Sequence, residues 1–197
     1  FTKQQLENTV EFVRTRGGGL LMLGGSDSLS NPNIADAYIN TPLAAILPVE
    51  LELGLPSASP PTTSRFSAPE RHSTSSDAGY LFRLTPEGKA DSLMALADDP
   101  QESMALWQKL PSLIGYSKVK RAKAGATVLA EHPSERNEFG NRILIATHNY
   151  NAGRVMVFTP HSSWRWKMLV PKEDESYERF WRQMAKWLTT APKDHLR

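Results

Sequence analysis

Gly17-Gly18-Gly19-Leu20-Leu21-Met22-Leu23-Gly24-Gly25 is the stretch on which the fold turns. Four consecutive apolar residues between glycines read as a short strand covered on both faces, as in a parallel sheet. The glycines ahead of it end a helix: Thr2 and Gln5 fit a capping box, and Leu6, Val10 and Val13 recur at helical spacing over residues 3–16. Gly24-Gly25-Ser26 then forms a tight turn at the strand's carboxyl end. Helix, strand and turn make half of an α/β unit.

Working outward, Thr41-Pro42 supplies an N-cap and a first-turn proline for a short helix through Leu47, and Pro48 to Leu53 alternates like a strand with one wet face. Residues 56–77 change character, with fourteen of twenty-two being Ser, Thr or Pro and Phe66 the single large apolar residue, so a surface excursion is expected there. Tyr80 to Leu84 reads as a strand, and a helical region from 90 to 109 breaks at Asp98-Asp99-Pro100. Strands follow near 115–121, 126–131, 142–148 and 154–158, the last after the turn Asn151-Ala152-Gly153. The final helix, 174–190, carries Tyr177, Phe180, Trp181, Met184, Trp187 and Leu188 along one stripe, which reads as core.

Composition narrows the chemistry. A chain of 197 residues with 40% apolar content suits one domain over 1–197, and no apolar run approaches the ~18 residues of a membrane span. Twenty-three basic against 21 acidic residues leave +2, too even for a nucleic-acid field. The absence of cysteine removes disulfides, thiolate metal sites and every cysteine-nucleophile mechanism. The five histidines lie at least thirteen residues apart, without a metal-binding spacing, and no glycine-rich phosphate loop occurs, so no metal and no cofactor is implied. Phe1 directly before a helix signal reads as the start of an excised or processed segment.

Four segments together carry a resemblance: 17–25, the stretch from Thr41-Pro42-Leu43 to Leu47-Pro48-Val49, the run from Gly153-Arg154-Val155 to Trp164-Arg165-Trp166, and Arg179-Phe180-Trp181-Arg182-Gln183. In this order they resemble the glutamine amidotransferase-like family, cysteine-poor relatives of class I glutamine amidotransferases. The resemblance implies a flavodoxin-like three-layer α/β sandwich with a largely parallel central sheet. It also implies a setting in larger bacterial proteins, beside von Willebrand factor A-type domains and membrane helices, and it establishes no activity. A strand ordinarily precedes the opening helix in that family.

An active class I glutaminase places cysteine on a GxCxG elbow and a His and Glu in an HPE-like motif; the closest echoes here are Gly24-Gly25 and Thr159-Pro160-His161. Gly24 and Gly25 read either as amide donors for an anion or carbonyl, or as turn glycines needing positive φ. Ser26 or Ser28 with His161 could form a nucleophile and base, or be ordinary solvated turn residues. His161, at a strand's carboxyl end, is a ligand-binding candidate. Trp164 and Trp166 are recognition residues if exposed and a packed lid if not, and Lys118, Lys120, Arg121 and Lys123 read as the wet face of an edge strand. The expectation is a non-catalytic binding or scaffolding domain, with a Ser/His amidohydrolase as the alternative.

Overall fold

The structure is a computed structural model that describes residues 1–25, 29, 38–52 and 79–190. The expected excursion at 56–77 lies outside the described residues, as do Ser26 and Ser28. The opening helix α1 (Lys3–Arg16) starts at Thr2 with both halves of the capping box and ends on Gly17, whose left-handed φ of 70° suits glycine. β1 (Gly19–Leu23), α2 (Pro42–Ile46) and β2 (Val49–Leu51) follow. After the undescribed segment come β3 (Arg83–Leu84), α3 (Pro86–Ala90), a 3-10 turn (Ser92–Met94) and α4 (Pro100–Lys109). Asp99 caps α4 through the Glu102 amide and Pro100 opens its first turn, which is the break read from the sequence. The chain continues through β4 (Val119–Ala122), β5 (Thr127–Asn137), β6 (Gly140–Tyr150), β7 (Gly153–Phe158), α5 (Arg165–Met168) and α6 (Ser176–Thr189).

Five strands form the central sheet in the order β1-β7-β6-β5-β3, and β2 pairs with β4 in a separate antiparallel ribbon. The α/β class holds, but strand direction corrects the expectation of a largely parallel sheet. Only β1 and β7 run parallel among the described pairs; β7-β6, β6-β5 and β5-β3 are antiparallel. The cause is loop length. Two residues separate β5 from β6 and two separate β6 from β7, and a parallel return needs a crossover of a dozen or more. β1 is also the edge strand, with Leu23 half exposed, so its apolar run does not mark a central position.

Alternation along β7 divides the core between the two faces. Met156 and Phe158 pack with Trp107, Trp166, Phe180 and Met184 on the side of α4 and α6. Val155 and Val157 pack with Leu6, Val13, Leu43 and Ile46 on the side of α1 and α2. Helices therefore cover the sheet from both sides. Along the α6 stripe, Phe180 and Met184 are fully buried, whereas Tyr177, Trp181, Trp187 and Leu188 pack against the core with part of their surface wet.

Candidate functional site

Parallel pairing brings the ends of β1 and β7 to the same edge, because Leu23 lies in register with Phe158. Gly24 and Thr159 thus leave the sheet side by side, and their approach is close: a Cβ on Gly24 would stand 2.1 Å from the Thr159 carbonyl oxygen. Gly24 has no positive φ, so the glycine there answers contact distance and not turn conformation. The Gly24 amide donates to the Phe158 carbonyl at 2.7 Å. The Gly25 amide donates to Ser117 Oγ at 3.1 Å, and that hydroxyl donates back to the Gly25 carbonyl. Ser117 is itself fully buried, and its amide bonds the Thr159 carbonyl at 3.0 Å. Both glycine amides are therefore committed to acceptors within the protein, which corrects their reading as donors waiting for an anion.

His161 follows two residues after Thr159, on the same edge, half-buried. Its ring lies against Gly115, where φ is +68° and a Cβ would come within 2.4 Å of the imidazole Cε1. The next residue, Ser162, accepts the Ile114 amide on Oγ at 2.7 Å, while Tyr116 bridges to Pro160. The structure thus brings Gly24, Gly25 and His161 to one edge, joined through the 114–117 segment. The pairing of His161 with Ser26 or Ser28 falls outside the described residues.

The two tryptophans diverge, because 165–168 is a helical turn. Trp166 is 2% exposed; it packs edge-on against Trp107 and Phe180 and donates its indole N–H to the Pro111 carbonyl at 3.1 Å. It offers no surface to a ligand, which removes it from the candidate set. Trp164 is 54% exposed, with the Arg165 guanidinium 5.9 Å from its ring centre. Arg165 in turn donates to the Ser112 carbonyl at 2.8 Å. The lysine cluster also splits: Lys118, just before β4, and Lys120 and Arg121 on it are exposed, but Lys123 reaches the Ala44 and Ala45 carbonyls at the end of α2.

A polar cluster outside the sequence candidates stands beside this edge. Tyr116 donates its hydroxyl to Glu135 Oε2 at 2.6 Å, and Tyr80 donates to the Gly115 carbonyl at 3.1 Å. The rings of Tyr80 and Tyr116 lie 4.6 and 5.2 Å from that of His132. Burial pushes both phenols well above the ordinary tyrosine range, with the Glu135 carboxylate adding to the effect, so both remain neutral donors. Burial also holds the His132 imidazole below its ordinary value, opposed by Glu135. His132-Pro133-Ser134-Glu135 was the available signal, with His, Pro and Glu in HPE order and one residue inserted. The wide groove lined by Arg83, Thr85, Lys89, Thr127 and Glu131 lies on the far flank of the sheet and holds none of the sequence candidates.

Residues 84–190, more than half of the chain, match the family model described as "Putative glutamine amidotransferase". The chain belongs to this family. A solved structure described as a cytoplasmic protein, STM1381, from Salmonella typhimurium LT2 is similar at TM-score 0.57 and 25% identity, over 94% of this chain and 61% of that one. A second Salmonella typhimurium cytoplasmic protein, STM3548, shares the fold at TM-score 0.57 and 24% identity, over 95% of this chain and 61% of its own. The chain spans about three-fifths of the length of these proteins. No curated protein matches it. Within the glutamine amidotransferase-like family, acyl transfer from glutamine requires a nucleophile, and this sequence has no cysteine to supply one.

Proposed function

We propose that this chain is a non-catalytic member of its family that works as a binding or scaffolding module within a larger bacterial protein. One observation carries the reading: the Gly25 amide and carbonyl close on the Ser117 hydroxyl while the Gly24 amide closes on Phe158, so the strand-end donors serve the fold. An oxyanion site needs donors aimed at where charge develops, and donors already engaged would have to break an internal bond first. The partner proposed is another domain of the same polypeptide, of von Willebrand factor A type by family resemblance. Trp164 and His161 at this edge are the contact residues proposed. Among the described residues no helix is long and apolar enough to cross a membrane, so any anchor in this proposal belongs to other parts of the polypeptide.

Incubation of the purified chain with glutamine, with ammonia as the readout, tests the non-catalytic half. Release should not exceed that of a Ser26→Ala, His161→Ala double variant. Release clearly above that variant would overturn the reading in favour of a Ser/His amidohydrolase. Chemical-shift titration with the adjoining domain tests the binding half: shifts should centre on His161 and Trp164, and a partner contacting only the far flank of the sheet would contradict it.

A further inference from the structure

β5 and β6 pair as far as Glu131 opposite Ile143 and resume at Arg136 opposite Asn141. Four residues, His132-Pro133-Ser134-Glu135, therefore bulge opposite the single residue Arg142. A bulge of this kind leaves amides without ladder partners, and here a side chain takes them. His132 Nδ1 accepts the Glu135 amide at 2.9 Å and the Ser134 amide at 3.3 Å. A ring nitrogen accepts only when it carries no proton, so the bulge selects the neutral imidazole with its proton on Nε2. Nε2 stands 3.8 Å from Glu135 Oε1, and the other carboxylate oxygen holds the Tyr116 hydroxyl.

We propose that this bulge is a proton-operated latch: a proton from solvent taken up at His132 Nδ1 withdraws the acceptor from the Ser134 and Glu135 amides and frees this arm of β5 from Tyr80 and Tyr116. The latch reaches the strand-end edge directly, since Tyr116 bridges Pro160 and Gly115 underlies the His161 ring. Among the described residues, the groups around the imidazole are few. Glu135, on its own strand, favours the charged form; Tyr80 and Tyr116, from the two neighbouring segments, are neutral; Arg142 of β6 lies opposite the bulge and is paired with Glu52. Burial outweighs the single carboxylate and keeps the latch closed at neutral pH.

The test is long-range 1H–15N NMR of the whole chain from neutral to acidic pH, with amide exchange followed at Ser134 and Glu135. At neutral pH the His132 ring should show the Nε2–H tautomer, with a midpoint below the ordinary histidine value of about 6.5. Both amides should shift with that midpoint and, relative to the intrinsic exchange rate at each pH, lose about tenfold in protection below it, the factor expected for one lost hydrogen bond. In Glu135→Gln, which keeps the Nδ1 bonds but removes the facing charge, the midpoint should fall further. An Nδ1–H tautomer at neutral pH, amides that stay still while His132 titrates, or a midpoint indifferent to Glu135→Gln would each overturn the latch.

Discussion

Replacing Gly24 by alanine would set a methyl carbon 2.1 Å from the Thr159 carbonyl oxygen, a backbone atom held in the β7 exit. Something must move, and overpacking of this kind costs about 1–3 kcal/mol. The urea midpoint of Gly24→Ala should fall accordingly, and an unchanged midpoint would show that the strands are farther apart than described. Ser117→Ala is a sharper probe, because it leaves the Gly25 amide and carbonyl without their partner; about 2 kcal/mol should be lost in the same measurement. That glycines sit at this edge was legible in the sequence, since an apolar strand ending in two glycines marks a strand end. Ser117 was not, because it meets Gly25 across 92 residues of chain and has no local signature. His132 and Glu135 were legible in principle through their three-residue spacing, whereas their contacts with Tyr80 and Tyr116 come from separate segments.

Among the elements, α6 anchors one face of the sheet through Phe180, which is fully buried against Phe158, Trp107 and Trp166. Phe180→Ala should cost about 3–5 kcal/mol in thermal or chemical unfolding, whereas Trp181→Ala, partly wet, should cost roughly half as much. Equal losses would mean that the stripe is buried uniformly. Helix placement was largely readable because its signals are local: the capping box at Thr2 and Gln5, Asp99 before Pro100, and the apolar stripe of α6. Strand direction needed one more step. Asn151-Ala152 reads as a turn, and a two-residue loop already requires that β6 and β7 run antiparallel.

At the scale of the whole molecule, one buried histidine, His132, and one half-buried histidine, His148, tie stability to pH. Burial depresses both His132 and His148, the latter with Lys123 contributing in the same direction and its bond to the Ile46 carbonyl opposing. The unfolded chain therefore binds more protons than the folded one once pH drops below about 6.5, and stability falls from there until the folded-state values are passed. Melting temperatures measured from pH 7.5 to 5 should decline, and His148→Gln should flatten the decline; a rise on acidification would contradict the assignment. The core is two-faced, with one cluster of large buried side chains on each side of the central sheet. The central claim is that this edge is closed on itself through Gly25 and Ser117. Amide hydrogen exchange at Gly25 tests it most directly: the account predicts a protected amide whose protection is lost in Ser117→Ala, and a rapidly exchanging Gly25 amide in the unaltered chain would contradict it.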